Sequence, residues 1–228
     1  MTIPIKMFKH IIFDCDGVLI DSEIVAAEVM AAWLRAQGMA MTTNQFIQTH
    51  TGKTFSGIMK ECIAAKLLPT DLNIQAGARE IEAKVKSQLR PVTGVAEGLA
   101  NIKLPKSVVS NSGVAYVQKA LNDFNISQHF EGRLFSSEMV AAPKPSPLVY
   151  ELAVEQIGLS KNDILVIEDS LTGVQAAKAA GLAVFGFLGG SHILSGHGEK
   201  LLTTGVSDLV EDYGELTNKL TSFRRTQD

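Results

Sequence analysis

Four short runs in the chain are apolar, or nearly so, at successive positions: His10–Phe13, Ser107–Val109, Ile164–Ile167 and Ala183–Phe187. A strand buried on both faces shows this texture, whereas an amphipathic helix spaces its apolar residues three and four apart. Polar or glycine-containing turn residues follow each run, and then a helical pattern. Val114–Phe124 follows the second run, and Leu171–Ala180 follows the third and stops at Gly181, a residue suited to a helix C-terminus. Strands alternating with helices predict right-handed βαβ units and a parallel sheet covered on both faces.

One stretch breaks the alternation. From Glu23 to about Arg90 the spacing is helical with hardly any strand signal. Helices are expected over Ile24–Gln37, ending at Gly38, and over Asn44–Thr49, Ser56–Leu67 and Leu72–Leu89. Gly52, Pro69 and Pro91 punctuate them, and Asp21 with Ser22 stands where the N-cap of the first belongs. The chain therefore reads as an α/β core, residues 1–20 and 92–228, interrupted by a helical cap domain, residues 21–91. A length of 228 residues suits one large domain carrying a small one.

Composition narrows the function classes. Hydrophobic residues make up 46% and charged residues 20%, which excludes a disordered or collagen-like chain. The net charge, 21 − 24 = −3, is too near balance for a protein that lives on nucleic-acid phosphates. Two cysteines, Cys15 and Cys62, exclude a disulfide framework and favour a reducing compartment. No apolar run approaches the ~18–20 residues that span a bilayer, and the N-terminus lacks the pattern of a signal peptide. A cytoplasmic protein is expected, acting as a monomer with no nucleic-acid or membrane partner. In that setting Asn125-Ile126-Ser127 is a chance match to a glycosylation acceptor.

The chemistry gathers at strand ends. The first run continues as Asp14-Cys15-Asp16-Gly17-Val18-Leu19-Ile20-Asp21-Ser22. In open α/β sheets, ligands bind beyond the carboxyl ends of the strands. Two carboxylates leaving a strand together are costly unless a positive charge or a proton lies between them. The second run ends in Ser110-Asn111-Ser112 at a helix start, a suitable anion cradle. The third ends in Glu168-Asp169, and Pro143-Lys144-Pro145-Ser146-Pro147 holds a lysine in a stiff segment between prolines. Singly, each has an ordinary explanation as a cap, an acidic turn or a loop lysine. Together they supply an acid cluster, a cation and an anion cradle to one edge of one sheet.

These four motifs, in this order, resemble the haloacid-dehalogenase superfamily of hydrolases, in the subgroup with a helical cap inserted after the first motif. The match runs through Asp14–Ser22, Ser110, Lys144–Pro147 and Glu168–Gly173, and continues to Gly181. The resemblance implies a Rossmann-like parallel sheet core and a magnesium-dependent phosphatase acting on a small phosphorylated metabolite. It implies that Asp14 is the nucleophile and that Asp16 protonates the leaving oxygen and then activates water. It implies a magnesium ion held by Asp14, the Asp16 carbonyl and Asp169, with Glu168 nearby or bridged through water. Ser110, the Asn111 backbone N–H and Lys144 would hold phosphate oxygens. The cap, tethered near Leu19–Asp21 and Pro91–Gly94, is expected to hinge over the strand ends and admit small ligands. Glu23 and Lys53 are its polar residues expected to meet the substrate, with a solvated helix-entry lysine the competing reading of Lys53.

Other signals fall away. Gly52-Lys53-Thr54 resembles the end of a phosphate-binding loop, but Ile47 stands where that motif needs glycine and no strand precedes it. His10, His50, His129, His192 and His197 show no zinc-type clustering, so surface or loop positions are expected. Cys15 is expected to be a small buried side chain rather than a nucleophile. Two alternatives remain. Sugar-phosphate mutases of the β-phosphoglucomutase type share these motifs but carry a histidine where this chain has Ala26 and an arginine where it has Phe55. A non-catalytic receiver-like domain would be about half this length and would lack the cap.

Overall fold

The computed structural model describes residues 8–50 and 53–225. It divides into two compact units, Met1–Ile20 with Pro91–Asp228, and Asp21–Arg90. In chain order the elements are β1 (His10–Phe13), α1 (Ser22–Ala36), α2 (Thr43–His50), α3 (Phe55–Ala64), α4 (Ile74–Gln88), α5 (Val95–Asn101), β2 (Lys106–Ser110), α6 (Val114–Asp123), β3 (Leu134–Ser136), α7 (Leu148–Ile157), β4 (Ile164–Glu168), α8 (Leu171–Ala179), β5 (Ala183–Phe187), α9 (His197–Thr204), β6 (Asp208–Val210) and α10 (Tyr213–Arg225).

Six parallel strands form one sheet in the order β3-β2-β1-β4-β5-β6. The order reverses between β1 and β4, where Phe13 pairs with Ile167. In such sheets a crevice opens beyond the strand ends at the reversal. Strands β1, β2 and β4 are buried at every position, as their apolar texture requires. Val149, Tyr150 and Ala153 of α7 pack with Ile12, Val109 and Val166 in the core.

Apolar texture under-reports the strands in two ways. It omits Lys106, Ser110 and Glu168, which extend β2 and β4 and are buried all the same. Lys106 satisfies its ammonium on the carbonyls of Ile102, at 2.6 Å, and Leu104, at 3.1 Å. Texture also fails to flag β3 and β6, three residues each. They lie at the two edges of the sheet, where burial on both faces is not demanded.

In the unit Asp21–Arg90, the helix starts follow local capping chemistry. Thr42 and Gln45 exchange hydrogen bonds ahead of α2: Thr42 N–H donates to Gln45 Oε1 at 2.9 Å and Gln45 N–H donates to Thr42 Oγ1 at 3.2 Å, a capping box. Thr54 caps α3 by accepting from Gly57 N–H at 3.2 Å, and Asn73 caps α4 by accepting from Ala76 N–H at 3.0 Å. Asp21 occupies the N-cap position of α1 but its side chain makes no cap bond, which corrects the expectation drawn from its residue type. Both ends of the unit are tied together: Asp21 N–H donates to Arg90 O at 2.9 Å, and the Arg90 guanidinium donates to both Glu28 oxygens at 3.0 and 2.9 Å.

Candidate active site

Leaving β1, the chain reaches Asp14, whose N–H donates to Ile167 O of β4 at 2.9 Å, then turns sharply. Gly17 N–H donates to Ile20 O at 2.7 Å, and Leu19 N–H to Cys15 O at 2.8 Å. Gly17 adopts φ +81°, and a Cβ there would lie 1.8 Å from Asp169 Oδ2. Glycine is required on both counts. The tight turn keeps Asp14 beside the end of β4.

Lys144 stands between two carboxylates. Its Nζ donates to Asp14 Oδ1 at 2.5 Å, to Glu168 Oε1 at 2.8 Å and to Val109 O at 3.1 Å. All three ionisable side chains are buried. The Tyr150 ring lies under the ammonium, 5.0 Å from its centroid. Burial alone would depress the Lys144 ammonium, but Asp14 and Glu168 more than reverse this and hold it protonated. Burial, followed by the charge of Glu168, pushes the Asp14 carboxyl well above the usual carboxylate range, against the pull of Lys144.

Glu168, fully buried, is hydrogen-bonded on both oxygens. Oε1 accepts from Lys144 and from Tyr150 Oη at 3.4 Å, while Oε2 accepts from Ser170 N–H at 2.9 Å and Ser170 Oγ at 3.0 Å. The same Ser170 hydroxyl accepts from Gly173 N–H at 3.0 Å and caps α8. A Cβ on Gly173 would fall 1.5 Å from Glu168 Oε1, so the carboxylate rests directly on the first turn of that helix.

Asp16 is met by three hydroxyls. Its Oδ2 accepts from Ser112 Oγ at 2.7 Å and from Ser110 Oγ at 3.4 Å, and its Oδ1 lies 3.5 Å from Tyr116 Oη. Two carboxylates two residues apart thus stand in different surroundings, one against an ammonium and one among neutral donors.

Asp14, Glu168 and Asp169 each offer an oxygen, all within 4.8 Å of one another and all buried. An oxygen-only set of this kind suits a hard divalent cation such as magnesium, calcium or manganese. Three buried carboxylates against one ammonium leave negative charge that such a cation would offset. The residues fit a metal ion.

Of the residues singled out in the sequence, Asp14, Asp16, Ser110, Asn111, Lys144, Glu168 and Asp169 come together in one unit. Asn111 uses its side chain on the Lys144 backbone, accepting from Lys144 N–H at 2.8 Å and donating to Lys144 O at 3.2 Å. Glu23 and Lys53 belong to the other unit. Glu23 is exposed in the first turn of α1, and Lys53 pairs with Glu61 at 2.6 Å on the surface. Gly52 lies outside the described residues. Cys15 is a buried free thiol, pushed up by burial.

The histidines depart from expectation. His10 is buried within β1 and is 3.0 Å from Ser107 Oγ; a hydroxyl partner lets an imidazole sit in a core strand. His192 Nε2 lies 3.2 Å from Asp169 Oδ2, and His197 Nε2 lies 2.6 Å from Asp169 O. No sequence spacing marks these two. The available signal was their place after β5, since the loops following parallel strands face the ligand crevice. Nor does any sequence spacing mark Tyr150, Ser112 and Ser170 as partners of the acidic groups.

Comparison with known proteins gives the family. Residues 11–187 match the model of the haloacid dehalogenase-like hydrolases. The 6-phosphogluconate phosphatase of Escherichia coli is 24% identical over 187 residues, covering 81% of this chain and 84% of that protein. The phosphoglycolate phosphatase of Thiobacillus denitrificans is 29% identical over 189 residues, covering 78% and 82%. A crystal structure of a haloacid dehalogenase-like protein from Agrobacterium tumefaciens superposes with a TM-score of 0.84 at 27% identity, covering 95% of this chain and 99% of that one. With its family model spanning most of the chain and its acidic strand ends at the sheet reversal, this protein belongs to the haloacid dehalogenase-like hydrolases.

Proposed function

We propose that this protein is a magnesium-dependent phosphatase that hydrolyses a small phosphorylated metabolite, a sugar phosphate or similar, through an aspartyl phosphate. One observation carries the reading: Asp14 lies at the sheet reversal against Lys144, while Asp16 stands apart among hydroxyl donors. A cation beside a carboxylate offsets its repulsion from an anionic phosphoryl group, and a second carboxylate among hydroxyls can exchange a proton.

In the first half-reaction an Asp14 oxygen attacks phosphorus, the bond to the leaving oxygen breaks, and Asp16 gives its proton to that oxygen. In the second, Asp16 takes a proton from water as the water attacks phosphorus and the Asp14–phosphorus bond breaks. Lys144 and the Ser110 hydroxyl, with the Asn111 N–H, neutralise and orient the phosphoryl oxygens. Asp14, Asp169 and the Asp16 carbonyl would hold the magnesium, with Glu168 keeping Lys144 in place or reaching the ion through water. When bound, the ion supplies charge neutralisation on the transferred group.

We assign choice of substrate to Glu23 and Lys53. An exposed pair such as Lys53–Glu61 contributes about 0–1 kcal/mol, so Lys53 is readily recruited by a polyhydroxylated group. The test is phosphate release from a panel of phosphorylated metabolites, with magnesium and with chelator, for wild type, Lys53→Ala and Glu23→Ala. Hydrolysis of small sugar phosphates in preference to p-nitrophenyl phosphate, lost on chelation, supports the reading. Isomerised sugar phosphate without net phosphate release would instead establish a mutase. Preference for phosphopeptides would overturn the substrate assignment.

A further inference from the structure

The loop after β5 carries Gly189-Gly190-Ser191-His192, and Gly196 leads into α9, whose first residue is His197. The expected chemistry uses none of these residues, yet both histidines converge on Asp169. His192 Nε2 lies 3.2 Å from the carboxylate Oδ2, and His197 Nε2 lies 2.6 Å from the backbone oxygen of the same residue. A carboxylate and a carbonyl only accept hydrogen bonds, so each Nε2 is the donor. Asp169 is thus held at its side chain by the loop after β5 and at its main chain by the first residue of α9.

The slot for His192 is shaped for the ring. A Cβ on Gly17 would stand 2.9 Å from His192 Cε1 as well as 1.8 Å from Asp169 Oδ2. A Cβ on Gly190 would stand 2.9 Å from Cε1 and 3.0 Å from Nδ1. Two glycines from different loops therefore leave room for an imidazole lying against an acidic side chain. The loop itself is folded back by Ile193 N–H to Gly190 O and His197 N–H to Leu194 O, both at 3.1 Å. The imidazole is 12% exposed and the carboxylate 3%, so their bond is shielded from competing water.

We propose that His192 is a positioning residue for the divalent cation: by donating to Asp169 Oδ2 it holds that carboxylate in place and leaves its other oxygen for the metal. The inference rests on the metal-dependent reading above and extends it to a residue outside the four motifs. Donors behind a metal-ligating group fix its orientation, and losing one typically costs about 10–100-fold in metal affinity or activity.

The test is calorimetric titration of metal-free protein with Mg2+ and with Mn2+, for wild type, His192→Ala, His192→Asn and His192→Leu, with Asp169→Asn marking the site. His192→Ala should weaken binding about 10–100-fold, and His192→Asn, which keeps a side-chain N–H donor, should recover part of the loss. If His192→Ala does not fold, the comparison passes to Asn against Leu, which occupies the slot without a donor. Tighter binding by Asn supports the proposal, and equal weakening of the two overturns it. Unchanged affinity in a folded His192→Ala also overturns it. Should the affinities shift as expected while no phosphomonoester is hydrolysed, the phosphatase reading falls and the role of His192 stands. With sound phosphate release and unaltered metal affinity, the phosphatase reading stands and the role of His192 falls.

Discussion

The amide of Asn111 and the backbone of Lys144 form a closed pair, Lys144 N–H donating to Asn111 Oδ1 at 2.8 Å and Asn111 Nδ2 donating to Lys144 O at 3.2 Å. The pair joins the end of β2 to the proline-flanked segment before α7 and sets where the Lys144 ammonium arrives. A residue expected at the phosphate for its N–H therefore also acts through its side chain on the lysine. Ser137 Oγ donates to Asn111 O at 2.8 Å, which steadies the same turn.

Asn111→Ala removes two partly buried hydrogen bonds, worth about 1 kcal/mol each. Thermal or urea unfolding should show a loss of about 1–3 kcal/mol. Substrate affinity should fall as well, because Lys144 loses its anchor. Wild-type KM in a folded variant would refute the anchoring role.

Gly173→Ala places a methyl group 1.5 Å from Glu168 Oε1, so the carboxylate must move off the first turn of α8 and release Lys144. Overpacking of this kind costs about 1–3 kcal/mol. A lower melting temperature together with a lower kcat is expected. A lower melting temperature at unchanged kcat would separate Glu168 from the role proposed for Lys144.

Asp14→Asn should abolish turnover and the covalent phosphoenzyme, detected by mass spectrometry after acid quench. Asp16→Asn, whose carboxylate is held by Ser112 at 2.7 Å, should retain phosphate and metal binding while slowing turnover about 10²–10⁴-fold. A phosphoenzyme in Asp14→Asn would move the nucleophile elsewhere.

His10 carries a pH dependence into stability. Burial, aided by Arg133 and Lys106, lowers its pKa from 6.5 to about 4. The unfolded chain therefore takes up a proton near pH 6.5 that the folded chain refuses until about pH 4. Stability from this residue is complete above pH 6.5 and lost as the pH falls towards 4, with a slope of up to about 1.4 kcal/mol per pH unit. Urea unfolding at a series of pH values should show the slope in wild type and its reduction in His10→Asn. Equal slopes would place the acid sensitivity elsewhere.

Much of this protein is legible in one dimension. Strands buried on both faces are apolar at most positions, so β1, β4 and β5 stand out as short apolar runs. Glycine at position 17 and carboxylates at 14, 16, 168 and 169 stand where parallel strands end, which is where such sheets bind ligands. What the chain does not display is how its buried polar groups are satisfied. Lys144 meets Asp14 across 130 residues of sequence, and His10 meets Ser107 across 97. No local spacing reports such a pair. A charge or an imidazole is tolerated inside only when a partner arrives there, and arrival is decided by the order of strands in the sheet. Lys106, Ser110 and Glu168 break the apolar texture yet lie in the core for this reason. His192 and His197 read as loop residues for the same one: their meaning comes from Asp169, on the neighbouring strand end, which only the folded sheet brings within reach.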